Sequence, residues 1–123
     1  IMEHVGYNQG MIYGTIHTES YNHKIGTQKV DSVEVNDAHI AFHNYTLIWD
    51  KDQMTWAIDD EPYFTIDKND ASYEGWPFDQ PYHLIFNLAV GGTWGGSKGI
   101  DDSIWPQTLE IDFVKVYQKS NEI

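Results

Sequence analysis

The stretch "GMIYGTIHT" alternates strictly, with Met11, Tyr13, Thr15 and His17 on one side and Ile12, Gly14, Ile16 and Thr18 on the other. A period of two marks a β-strand, here with one aliphatic face and one face of polar and aromatic groups. Residues 19–38 are polar, and only "KVDSVEV" within them predicts a short edge strand. The run "YTLIWDKDQMTWAIDDEPYFTI" predicts a three-stranded meander with turns at "DKDQ" and "DDEP" and flanks rich in Trp, Ile, Tyr and Thr. A loop, "DKNDASYEGWPFDQP", follows. "YHLIFNLAV" then reads as a continuous apolar strand buried on both faces and interrupted by Asn87. A glycine-rich loop, "GGTWGGSKGIDDSIWPQ", leads to a last predicted strand, "TLEIDFVKVYQ". No internal repeat and no amphipathic helix is evident.

Five to seven strands with closely spaced turns predict an all-β antiparallel β-sandwich. Sandwiches that bind long ligands often run to about 200–250 residues as one domain. This chain has 123 residues. Half of such a sandwich leaves strand edges and an apolar face unpaired, so a further segment is expected beside it. The opening "IMEHVG" agrees, because it is strand-like from its first residue.

Composition narrows the function. A net charge of −12 argues against binding to nucleic acid or an anionic membrane surface, both of which call for Lys and Arg on the contact face. No apolar run is long enough to span a membrane. The absence of cysteine excludes disulfides and thiolate metal sites. Five Trp and eight Tyr exceed what so small a core requires, which leaves room for a groove where sugar rings stack on aromatic faces.

From the residues alone, several positions have two readings. Glu3 is either a solvated outer-face glutamate or a groove carboxyl sharing a face with His17. Glycosidic cleavage normally needs two carboxyls, about 5–5.5 Å apart for retention of configuration, and only one candidate stands here. Asn87 either satisfies backbone groups in its strand or contacts sugar hydroxyls. Trp94, flanked by glycines, either folds onto the sandwich rim or stacks on a ligand. Gln107 reads first as a turn cap. "DKDQ" and "DKND" lack the glycine and terminal glutamate of a calcium loop and read as turns, the histidines give little support to a zinc site, and Asp101 and Asp102 read as loop solvation.

Taken together, "IMEHVG", "YGTIHT", "WPFDQPYHLIFNLAVGGTWGG" and "WPQTLEIDFVKVYQ" closely resemble the second half of laminarinase-type β-glucanases of glycoside hydrolase family 16. The family's catalytic strand carries E-x-D-x-x-E, and "IME" matches its last three positions. The resemblance implies that residues 1–123 are the C-terminal half of a single concanavalin-like β-jelly roll, with the N-terminal half outside this chain. It implies endo-hydrolysis of β-1,3 bonds in laminarin-like or mixed-linkage glucans by a retaining double displacement, with Glu3 as acid/base and the nucleophile upstream of Ile1. This chain alone is then expected to be inactive. His17, Tyr13 and Trp94 correspond to groove positions, and Asn87 and Gln107 to polar contacts near the cleft. Asp112 matches a position that joins a structural calcium on the convex face, completed by carbonyls from the other half, while catalysis requires no cofactor. The expected partners are a neutral β-glucan and the N-terminal half, and the expected setting is extracellular or periplasmic. The alternative is a non-catalytic β-glucan-binding protein of the same fold.

Overall fold

The computed structural model describes residues 1–120. It contains two three-stranded antiparallel sheets and one short 3₁₀ turn. The first sheet has the order β1 (Glu3–His4), β2 (Met11–Ile16), β3 (Lys29–Glu34). The second is the meander β4 (Tyr45–Trp49), β5 (Gln53–Ile58), β6 (Glu61–Asp67). The all-β sandwich read from the pattern is therefore present, including the edge strand at "KVDSVEV". Among the described residues no helix is long and apolar enough to cross a membrane.

Turn chemistry explains the meander. Asp50 Oδ1 accepts the backbone N–H groups of Asp52 and Gln53, which closes the β4–β5 turn. The β5–β6 turn has two residues, Asp59 and Asp60, both left-handed at φ 49° and 71°. That geometry matches the right-handed twist of the strands it joins, and aspartate tolerates it better than most side chains. Beyond the turn, Ala57 opposes Pro62 and Trp56 opposes Phe64, so Tyr63 is an extra residue in β6. Such a bulge re-aims a side chain, and proline fits there because no ladder donor is needed from it.

The core lies between the sheets. Ile16 from β2 meets Met54 and Trp56 from β5, Ile66 from β6 and Trp76 from the following loop. Strand β2 alternates as its sequence predicts: Ile12, Gly14 and Ile16 are buried, while Met11, Tyr13 and Thr15 are half-buried on the other face. Gly14 permits the close approach of the layers. A Cβ built there would lie 2.8 Å from the Tyr63 hydroxyl and 2.9 Å from the Trp56 indole.

One side chain fastens the open end of the meander. Both ring nitrogens of His43 face carboxylates, with Nδ1 2.6 Å from Asp59 Oδ2 and Nε2 3.0 Å from Asp37 Oδ1. The Asp59 hydrogen bond raises the His43 pKa above its ordinary 6.5, desolvation pulls it partly back, and Asp37 adds to the rise. The same bond, with the Asn44 backbone N–H, lowers the pKa of Asp59 below its ordinary 3.8. Stabilisation by the charged pair is thus fully present between these two ordinary values. It is lost as pH rises through the raised His43 pKa, and also as pH falls through the lowered Asp59 pKa. Between about pH 6 and pH 8 the melting temperature is expected to fall in the native protein and to fall less in His43→Gln, as differential scanning calorimetry would show.

Two predicted strands are absent. Residues 82–90 and 108–118 are not in strands, and Leu84, Ile85 and Phe86 are 46%, 76% and 54% exposed. The reading of "YHLIFNLAV" as a strand buried on both faces is therefore corrected, as is the strand at "TLEIDFVKVYQ". The cause is pairing. A central strand exists only where neighbours supply ladder partners and cover its faces, and no described residue does so here.

Candidate active site

Strand pairing brings the candidate residues together. Glu3 lies directly across the β1–β2 ladder from Tyr13, which places it on the face that Tyr13 shares with Thr15. From the diagonal position, Thr15 Oγ1 donates to Glu3 Oε2 over 2.6 Å. His17, just past the end of β2, places Nε2 4.0 Å from Glu3 Oε1. Both side chains remain open to solvent, at 44% and 41% exposure, so a ligand can reach the carboxyl. Behind His17, the ring of His23 packs edge-on at 5.4 Å.

The aromatic wall forms beside this carboxyl. Trp94 meets Tyr13 edge-on, with ring centroids 5.3 Å apart at 83°. This answers what an indole between glycines covers: it leans on Tyr13, whose hydroxyl in turn accepts from Asn8 Nδ2 at 3.2 Å. Trp94 is 43% exposed, which leaves aromatic surface free beside Tyr13. Edge-to-face contact suits the quadrupoles of both rings.

On the opposite side of β2, the Tyr63 hydroxyl presses against Gly14. Burial, and then the charges of Asp31 and Glu3, push its pKa up to about 12, so it stays a neutral phenol. The carboxyl side of β2 is polar and open, while its other side is filled by core rings.

Glu3, Tyr13, His17 and Trp94 thus converge. Asn87 lies in the exposed stretch after residue 81 and shares no described hydrogen bond with that group. Gln107 donates its amide N–H to the Ile104 carbonyl, which is the turn-capping role. Asp112 is exposed, and among the described residues no group of three or more His, Cys, Asp or Glu side chains could hold a metal ion. His39 and His43 have the four-residue spacing that would align them on a helix, but the segment is a set of turns and His43 is engaged by Asp37 and Asp59. Asp101 accepts from the Ser103 backbone and hydroxyl as the cap of the 3₁₀ turn Asp102–Ile104, a structural role in place of the loop solvation expected. Sequence reasoning placed Thr15 on the correct face and missed its bond to Glu3, because alternation gives a side but not a partner.

Comparison with known proteins bears on the family and the fold. The sequence model described as Glycosyl hydrolases family 16 matches residues 1–115. A β-glucanase from Rhodothermus marinus is 44% identical over 123 residues, spanning 96% of this chain and 43% of that protein. Among solved structures, the laminarinase from Rhodothermus marinus superposes with a TM-score of 0.82 at 44% identity, covering 85% of this chain and 44% of that one. SCLam, a non-specific endo-β-1,3(4)-glucanase, superposes with a TM-score of 0.81 at 43% identity, covering 86% and 40%. The chain spans less than half the length of these relatives.

Proposed function

Because the chain belongs to the glycosyl hydrolases of family 16, we propose that it carries the acid/base side of a retaining endo-β-glucanase active site. The observation that carries this reading is the Glu3 carboxyl, open to solvent beside His17 and on the β2 face that carries Tyr13, against which Trp94 packs. The substrate is a neutral β-glucan with β-1,3 bonds, laminarin-like or of mixed linkage. A chain of net charge −12 repels anionic polymers, and glucose rings present the flat apolar faces that indole and phenol stack against.

The reaction follows from the chemistry of one positioned carboxyl and a second supplied from elsewhere. Glu3 gives its proton to the glycosidic oxygen as the bond from that oxygen to the anomeric carbon breaks. The bonding pair stays on the departing sugar. A companion carboxylate, about 5–5.5 Å away for a retaining enzyme, bonds to the anomeric carbon from the opposite face. Glu3 then takes a proton from water as the water oxygen attacks that carbon and the ester opens. His17 and the aromatic pair hold the sugar so that the glycosidic oxygen meets Glu3.

The companion carboxylate belongs to the other half of the same jelly roll. The exposed apolar stretches at residues 82–90 and 108–118 support this arrangement, since each reads as a strand waiting for ladder partners. The superposition supports it too. Residues 1–81 are about two thirds of the chain, so a superposition that covers 85% of it extends into the residues after 81. Because a glucan polymer does not cross the cytoplasmic membrane, the reading calls for a protein outside the cytoplasm, secreted or periplasmic.

Digestion of laminarin by the protein carrying both halves tests the reading. Reducing ends are expected to appear with the β anomer formed first, as followed by NMR. Binding without release of reducing ends would instead identify a non-catalytic β-glucan-binding protein, and first-formed α anomer would exclude the retaining mechanism.

A further inference from the structure

The two oxygens of the Glu3 carboxyl are not equivalent. Oε2 accepts the Thr15 hydroxyl hydrogen over 2.6 Å, whereas Oε1 lies 4.0 Å from His17 Nε2, and both the Glu3 and His17 side chains are open to solvent. We propose that Thr15 is the positioning residue of the acid/base, occupying Oε2 so that the proton exchanged with substrate and water travels through Oε1. This inference rests on the reading of Glu3 as the acid/base.

Three observations carry it. Glu3 is 41% exposed, and its long side chain has several free torsions, so without a tether the carboxyl would sample many directions. Thr15 sits inside β2, paired with Val30 of β3, and its branched Cβ restricts χ1, so its hydroxyl is aimed from a rigid base. The donor is also uncharged. A hydroxyl therefore orients the carboxyl through one directed hydrogen bond without placing a fixed positive charge beside it.

In the first step the Oε1–H bond breaks and its proton passes to the departing glycosidic oxygen. In the second, Oε1 takes a proton from the attacking water. Throughout both steps Oε2 keeps the Thr15 hydrogen bond, so the carboxyl plane does not turn between them. Holding a reacting group in its attack geometry is worth large factors in rate, and a misplacement of about 1 Å can cost on the order of 10²-fold.

The test compares Thr15→Val, which keeps shape and strand preference but loses the donor, with Thr15→Ser, which keeps the donor. Both are assayed in the protein carrying both halves, on laminarin and on a dinitrophenyl glycoside of a β-1,3-glucan oligomer. The second substrate has a leaving group that needs no proton. Thr15→Val is expected to lower kcat/KM on laminarin at least about tenfold while leaving dissociation of a bound oligomer within about twofold. On the dinitrophenyl substrate kcat/KM is expected to stay near the native value, and Thr15→Ser to restore most of the laminarin activity. Native activity of Thr15→Val on laminarin would overturn the proposal, and so would an equal loss on both substrates. If Thr15→Val does not fold, Thr15→Ala is judged by the same two outcomes. Glu3→Gln is run alongside. If it keeps laminarin turnover, the assignment of Glu3 fails and this inference with it. If it loses turnover while Thr15→Val does not, only the role of Thr15 fails.

Discussion

Glu3→Gln is expected to lower kcat on laminarin by about 10²–10⁴-fold, the usual contribution of a general acid, with little change in oligosaccharide binding. The amide keeps the size of the carboxylate and can still accept from Thr15 through its oxygen, so the groove face survives. It has no acidic proton to give. A glucoside with a dinitrophenyl leaving group would still form the covalent intermediate, which would then persist because its hydrolysis needs a base. Azide, a nucleophile that requires no deprotonation, is expected to release that intermediate as a glycosyl azide. Mass spectrometry of the trapped protein, steady-state kinetics and product NMR check each step. Ordinary laminarin turnover by Glu3→Gln would remove Glu3 from the chemistry.

Trp76→Ala is expected to be the most damaging single truncation for stability, at about 3–5 kcal/mol, the range for buried Phe and Trp. Trp76 is 2% exposed, lies in the central cluster and packs edge-on against Phe78 at 5.2 Å. Its indole N–H also donates to the Lys51 carbonyl at 2.8 Å, tying the loop after β6 to the β4–β5 turn. Trp49 makes the matching tie, from its indole N–H to the Phe78 carbonyl at 2.7 Å. Truncation therefore opens a cavity and frees one end of the loop together. Trp76→Phe, which keeps most of the ring and loses the donor, is expected to cost about 1–2 kcal/mol. Urea denaturation midpoints of the two variants separate cavity from hydrogen bond. A loss under about 1 kcal/mol in Trp76→Ala would show that the indole caps the core from outside instead of filling it.

The parts of this structure that were legible in the sequence depend on near neighbours. Alternation in "MIYGTI" gave both faces of β2, because the pleat alone decides which way each side chain points. The turns at "DKDQ" and "DDEP" were legible because Asp50, Asp59 and Asp60 provide the local hydrogen bonds and φ tolerance that turns need. Residues 82–90 and 108–118 have the composition of strands without being strands, since a strand is completed by its partners and these lie at a distance no local pattern encodes. The site divides similarly. Glu3, Tyr13 and His17 came from face assignment on adjoining strands, and Trp94 from its isolation among glycines. The cleft role given to Gln107 came from resemblance alone, and here Gln107 is occupied in capping its own turn.

Gly14 controls more than the spacing of the layers. The tyrosine and tryptophan rings against it leave room for a hydrogen and nothing larger. If β2 slid by one residue, Tyr13 or Thr15 would be driven into that notch. A slide of two would bring Ile12 or Ile16 there, with the same collision. Only one alignment lets the strand seat, and in that alignment a hydroxyl arrives beside a carboxyl on the far side. The notch in the interior thus ties the seating of β2 to the contact between Thr15 and Glu3 on its other face.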